Sequence, residues 1–436
     1  MEFYKALEVI SGAFYQKNDR PLTEVEIALL YGAWENLTYD RIAERSGYTV
    51  NYLQRDVGPK FWKLLSKALD RKVNKTTFRT ILINQENPLP YRLPQVKRAI
   101  HWGEAPDVSN FQGRQDEIEK LTQCITQNRC RLVAIVGQGG IGKSSLAAKV
   151  ARQVAEDFDF VIWRSLRHAP PLENLLAELV PFVSGQQDLQ ARPERLLHWL
   201  QTHRCLVILD NQETLLQPGK EGGDYLPQFA NYGDLVQMLG EASHQSCVVL
   251  TSREKSTKVG LLEESYGAVR LLALKGSWEA SLALIEAKQL VGTEDEKRRL
   301  CELYRFNPLA LKMATKLIQN LFEGEISAFL ESETLIFNGI RRLLDQQFER
   351  LSPLEQTIMY WLAINREWTA LSTLQSDIAP AVDRARWLEA LASLRGRSLI
   401  EKRVVQDQGK TCGKYSQQPV IMEYVNGLEP RRKLCD

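Results

Sequence analysis

The chain has 436 residues, 44% hydrophobic and 25% charged, with a formal net charge of +2. That length accommodates roughly two to four domains with their own cores, and the near-neutral balance excludes a global field that would by itself demand a polyanionic partner. No apolar run approaches the ~18 residues of a membrane span, and the opening MEFYKALEVISG lacks a signal-peptide layout. The seven cysteines are odd in number and form no C-x-x-C pair, so they read as reduced thiols of a cytoplasmic protein. The five histidines form no H-E-x-x-H and no cluster with cysteine, against a protein-bound zinc.

In chain order, residues 1–20 read as a weakly patterned helix. From Pro21 the signal sharpens: Thr23 and Glu26 form a capping box that opens a helix through Trp34. A short helix over Tyr39–Arg45 stops at Gly47, and Thr49 can cap a third. This is a helix-turn-helix layout, with Ile42, Ala43, Val50 and Tyr52 as expected packing positions. From Asn51 to Thr80 the bases Arg55, Lys60, Lys63, Lys67, Arg71, Lys72, Lys75 and Arg79 face only Asp56 and Asp70. Such a surface fits DNA phosphates, but it equally fits the solvated face of a protein-docking domain. Pro59 is expected to interrupt the third helix, and residues 1–50 hold more acids than bases, both against a DNA-reading helix. The helical domain spans 1–85, and a linker spans 86–106, marked by Pro88, Pro90 and Pro94.

An α/β domain is expected over 107–275. Leu132–Val136 has the length of a strand buried on both faces, and Gly137-Gln138-Gly139-Gly140-Ile141-Gly142-Lys143-Ser144, followed by Ser145, fits G-x-x-x-x-G-K-[ST] at every fixed position. Glycines let backbone N–H groups curl around a polyphosphate, and the following helix adds its positive end. Lys143 reaches the outer phosphates and the Ser144 hydroxyl takes a place on Mg²⁺. Strand-like runs at Phe158–Trp163, Cys205–Leu209, Cys247–Thr251 and Val269–Ala273 alternate with helical patterns such as Leu172–Val183 and Arg192–His203, which predicts a parallel sheet. The run LVIL ends in Asp210, a second carboxylate site for Mg²⁺. Asn211 stands where fast ATPases of this kind carry a water-activating glutamate, so hydrolysis is expected to be slow, with Glu213 the nearest candidate base. Arg253 leaves a strand expected beside the P-loop strand, where it either touches the γ-phosphate or simply pairs with Glu254.

Gly113-Arg114, GQGGIGKSS, LVILDN, VVLTSR and Asn307-Pro308-Leu309-Ala310-Leu311 occur in the order that resembles NB-ARC proteins, a class of STAND signal-transduction NTPases. The N-terminal module resembles the helix-turn-helix domain that precedes NB-ARC in cyanobacterial proteins, and the similarity covers residues 22–428. The resemblance implies a switch locked with ADP, opened by exchange for ATP, and then assembling as a homo-oligomer to activate an effector. It places Phe111, Gly113 and Arg114 over the base and Pro308 on the adenine, although Phe306 replaces the family's glycine.

The resemblance divides the remainder into a helical subdomain, 276–335, and a winged-helix domain, 336–436. The residues agree: Ser277 can cap Trp278–Gln289, followed by Glu294–Tyr304 and Leu309–Asn320. Ser352-Pro353-Leu354-Glu355 opens another helix, Arg384–Leu394 a further one, and Ser398–Val405 and Tyr415–Ile421 flank the Gln408-Gly409-Lys410 turn. In the family this domain holds the closed state through a histidine on the ADP β-phosphate. Gln418 occupies that place here and can donate a hydrogen bond without becoming charged. Relatives commonly continue into repeat sensors, and no internal period of about 20–50 residues is visible in this chain. The expectation is a slow ATPase acting as a switch that lacks its own sensor, with the N-terminal domain meeting an effector or sensor protein. The alternative is a DNA-binding regulator controlled by the ATPase domain.

Overall fold

The computed structural model describes residues 3–18, 20, 22–83, 98–219, 223–265, 267–332, 335–378, 382–397, 399–407 and 410–428. The expected start at Pro21, the linker prolines 88, 90 and 94, and turn residues Gln408 and Gly409 lie outside them. The chain forms two compact units, Met1–Lys97 and Arg98–Asp436. No described helix is long and apolar enough to cross a membrane.

The first unit comprises α1 (Phe3–Asn18), α2 (Glu24–Trp34), α3 (Tyr39–Ser46), α4 (Gly58–Ala68) and α5 (Phe78–Ile83) around a core of Phe14, Leu30, Leu53, Phe61 and Trp62. The capping box forms, with the Thr23 N–H donating to Glu26 at 2.8 Å, and Gly47 ends α3 in the left-handed conformation. Two expectations fail. Pro59 does not break the third helix: a widened π turn over Tyr52–Val57, in which the Gly58 N–H reaches Leu53 O, re-registers the chain so that Pro59 falls in the first turn of α4, where its missing N–H costs nothing. Tyr52 is 42% exposed and forms a tilted ring pair with Tyr48 instead of entering the core.

The second unit is built on a six-stranded parallel sheet in the order β1-β3-β4-β5-β2-β6. Its elements run β1 (Ala99–His101), α6 (Gln115–Thr126), β2 (Leu132–Val136), α7 (Lys143–Val154), β3 (Phe160–Ser165), α8 (Leu172–Val183), α9 (Pro193–Thr202), β4 (Cys205–Asp210), α10 (Ala230–Glu241), β5 (Cys247–Ser252), α11 (Thr257–Ser265) and β6 (Val269–Ala273). β2, β4 and β5 are buried along their whole length, which is why each reads as a continuous apolar run. β1 corrects the linker assignment over 86–106. This three-residue edge strand is mostly exposed and carries no apolar pattern that a sequence reading could detect.

Next come α12 (Trp278–Ala287), α13 (Glu294–Leu303), α14 (Pro308–Leu321), α15 (Ile326–Glu331), α16 (Asn338–Phe348), α17 (Pro353–Asn365), β7 (Thr369–Ala370), α18 (Leu371–Ile378), α19 (Arg384–Gly396), β8 (Ile400–Asp407), β9 (Lys410–Gln417) and α20 (Pro419–Asn426). β9 pairs antiparallel with both β7 and β8, so a small sheet caps this helical block. The expected strand Tyr415–Ile421 ends at Gln417 because Pro419 begins α20, with proline at a first-turn position it tolerates. One apolar core runs from Ile285 through Ile340 and Trp387 to Val425, so residues on both sides of the 335/336 division share it.

Candidate functional site

The site forms where the P-loop leaves β2. Gly140 has φ +79°, and a Cβ there would lie 2.6 Å from Leu309 Cβ, so both conformation and space demand glycine. Beyond Gly142 and the buried Ile141, α7 starts at Lys143 and carries Ser144 and Ser145 in its first turn. Lys143, 8% exposed, folds back to donate to Gly137 O at 2.9 Å and Gln138 O at 3.1 Å. Burial pushes its ammonium down to about 8, with Arg253 adding to the effect and Glu213 and Asp210 opposing it.

β4 and β5 bring the acidic half of the site to this point. Ser144 Oγ donates to Asp210 Oδ1 at 2.6 Å, and the Thr251 hydroxyl donates to the same oxygen. Burial pushes the Asp210 carboxyl up, while those two hydrogen bonds oppose the shift. A hydroxyl and a carboxylate converging beside a phosphate cradle suit Mg²⁺, a hard cation that takes few protein oxygens and completes its shell with phosphate and water. Ser144 and Asp210 would hold it.

Asn211 follows at φ +69°, a conformation asparagine tolerates, and its N–H donates to Thr251 Oγ1 at 3.1 Å. Glu213 is buried, and Arg253 claims both of its oxygens: Nε lies 3.1 Å from Oε1, and the backbone N–H donates to Oε2 at 3.1 Å. The pairing considered for Arg253 with Glu254 is therefore replaced. Glu254 points the other way, meeting Arg350 Nε at 2.6 Å and Arg397 Nη2 at 3.2 Å. Arg350 also donates to Glu213 O at 2.8 Å.

The other sequence-derived candidates divide. Arg114 is buried at the head of α6 and donates from Nη2 to Ile141 O at 3.0 Å, bracing the P-loop from behind. Phe111 packs on the core of the α/β domain, and a Cβ on Gly113 would fall 2.8 Å from Ala280 N, which locks this segment to α12. Gln418 lines an open cleft of about 830 Å³ together with Gly137, Gln138, Ile141, Arg305 and Phe306. Pro308 is not among the residues lining that cleft. It starts α14, whose cap Asn307 donates from Nδ2 to Gly139 O at 2.9 Å, while Leu309 N–H reaches Gly140 O at 3.3 Å. Asn307 was missed as a site residue: Asn-Pro marks a helix start in the sequence, but nothing local shows that the cap also grips the P-loop.

Residues 104–265 match the family described as "Novel STAND NTPase 1", and residues 1–85 match the vWA-MoxR associated protein N-terminal HTH. An uncharacterized WD repeat-containing protein of Nostoc sp. is 44% identical over 344 residues, covering 74% of this chain and 27% of that protein. A putative disease resistance protein of Arabidopsis thaliana is 27% identical over 201 residues, covering 43% of this chain and 21% of the relative. The chain thus spans about a quarter of the length of these relatives. A Walker-type ATPase of Pyrococcus abyssi shares the fold, with a TM-score of 0.50 and 16% identity over 74% of this chain and 99% of that one. Residues 104–265, which hold the P-loop and the Asp210-bearing strand, are thus similar to the STAND class of P-loop NTPases, and residues 1–85 are similar to an N-terminal helix-turn-helix domain.

Proposed function

We propose that this chain is an ADP/ATP-operated switch for signal transduction or defence, with slow hydrolysis and with nucleotide exchange coupled to homo-oligomerisation. The observation that carries this reading is the adjacency of Arg253 and Glu254: the first stands over the P-loop side through Glu213, and the second holds Arg350 and Arg397 of the C-terminal block. A change in phosphate occupancy that moves Arg253 acts on its neighbour's grip of that block. The P-loop amides and Lys143 bind the phosphates, Ser144 and Asp210 hold Mg²⁺, and Gln418 approaches from the cleft. When bound, Mg²⁺ neutralises charge on the phosphate oxygens.

Phe111, Gly113, Arg114 and Pro308 form the base end of the proposed site. Glu213 serves as base only once Arg253 releases it, since Arg253 holds both of its carboxylate oxygens. Asn211 cannot replace it, which supports slow turnover. The divisions 107–275, 276–335 and 336–436 are proposed as functional boundaries, the last a winged helix supported by its three-stranded antiparallel sheet. The switch is proposed to work in the cytoplasm, its N-terminal domain meeting an effector or sensor protein. Nucleotide content after denaturation and chromatography tests the reading. Released ADP or ATP is the expected result, and a protein that carries none and binds none with Mg²⁺ overturns it.

A second reading, a DNA-binding regulator, is favoured by one observation: Lys60, Lys63 and Lys67 lie exposed at helical spacing on α4. DNA affinity that falls steeply with salt, and weakens when these lysines are neutralised, is its signature. No binding at low salt removes it.

A further inference from the structure

The last turn of α16 reaches the P-loop from the C-terminal block. Gln346 Oε1 accepts from Arg253 Nη2 at 3.4 Å. The next residue, Gln347, is 8% exposed, and its Nε2 has no hydrogen-bond partner among the described residues. A buried amide donor left in this way is costly to the fold, so it is expected to serve a ligand. Its position is defined by Gly139: a Cβ built there would lie 3.1 Å from Gln347 Nε2 and 3.4 Å from Arg253 Cζ. A cavity of about 10 Å³, enough for a single oxygen centre, is lined by Gln138, Gly139, Arg253 and Gln347 together with Glu254, whose carboxylate Arg350 and Arg397 hold.

Which phosphate lies here follows from the lysine. Lys143 serves the outer phosphates of a P-loop ligand, and its Nζ rests on the carbonyls of Gly137 and Gln138, the residues leading into Gly139. The first half of the loop is therefore the terminal-phosphate end.

We propose that Gln347 is a terminal-phosphate ligand contributed by the C-terminal block, its Nε2 donating to an oxygen of the outermost phosphate of a bound nucleoside triphosphate, beside Arg253. The inference rests on the nucleotide-site reading above and deepens it. A neutral amide does not select by charge, but its reach does: a triphosphate offers an oxygen at Gly139 and a diphosphate does not. Because Arg350 on Glu254 lies just beyond α16, the helix that reads the triphosphate leads directly into the contact that holds the block down.

The test is calorimetric titration of the full chain with Mg²⁺ and either a non-hydrolysable ATP analogue or ADP, for the wild type, Gln347→Glu and Gln347→Met. Gln347→Glu is expected to weaken the triphosphate analogue by about tenfold or more, the loss of one charge-assisted hydrogen bond plus repulsion, with ADP within about twofold. Gln347→Met keeps the volume and removes the donor, so it is expected to show the same split in smaller measure. A thermal melt without nucleotide checks folding, and if Gln347→Glu does not fold the methionine variant decides. Unchanged triphosphate affinity, or equal losses for both nucleotides, overturns the inference alone. A wild type that binds neither nucleotide overturns this inference and the nucleotide-site reading together.

Discussion

Arg350 Nε donates to Glu254 Oε1 at 2.6 Å, joining the end of α16 to the residue that follows Arg253 at the edge of the sheet. Arg397 shares the same carboxylate, and its side chain is almost as buried as that of Glu254. Removing the carboxylate takes from Arg350 and from the buried Arg397 the counter-charge they share. Glu254→Ala is expected to destabilise the fold by about 3 kcal/mol and to increase hydrogen exchange in α16 and α17. An unchanged melting midpoint would show that solvent compensates both arginines.

Lys143 and Asp210 test the phosphate and metal halves of the site separately. Lys143→Ala is expected to reduce ADP affinity by about tenfold or more, the loss of a hydrogen bond to a charged group. Asp210→Asn is expected to keep binding while removing most of its dependence on Mg²⁺. Titrations with and without EDTA distinguish the two, and wild-type behaviour of both variants counts against the assignment.

Asn211→Glu introduces a carboxylate where the chain lacks one. The left-handed conformation at Asn211 (φ +69°) tolerates asparagine better than glutamate, at a cost of about 1 kcal/mol. If the missing base limits turnover, steady-state ATP hydrolysis should rise about tenfold or more even so. Turnover at or below wild type would place the limit elsewhere, in Arg253 or in product release.

Glu26 gives the helix-turn-helix domain a defined acid sensitivity. Burial would raise its carboxyl, but the Arg20 hydrogen bond, the donors of Thr23 and the Arg20 charge outweigh it and hold the group below its ordinary 4.5. A carboxylate depressed in the folded state contributes stability that is present above the unfolded value and lost as pH falls through the folded one. Glu26→Gln is therefore expected to lower the melting midpoint at pH 7 and to narrow its gap to wild type below pH ~4. A gap that is constant across this range would assign the effect to packing.

The amino-acid sequence determined by itself the features whose physics is local. The P-loop requires glycines, lysine and serine at fixed spacing; β2, β4 and β5 are apolar because both faces are covered; and Thr23-x-x-Glu26 and Ser352-x-x-Glu355 close their own capping boxes. Asp210 was legible because a carboxylate ends a buried strand downstream of a complete P-loop. Only the tertiary structure decided what meets these residues. The partner of Arg253 is Glu213 because β5 sets its strand end beside the turn after β4. The grip of Asn307 on Gly139, the unmet donor of Gln347 and the Arg350–Glu254 pair depend on contacts between segments 96 to 208 residues apart, for which spacing along the chain carries no signal. β1 and the π turn before Pro59 were hidden for a related reason: a short exposed edge strand has no period, and the tolerance of a helix for proline is decided by the hydrogen bonds its neighbours can rearrange.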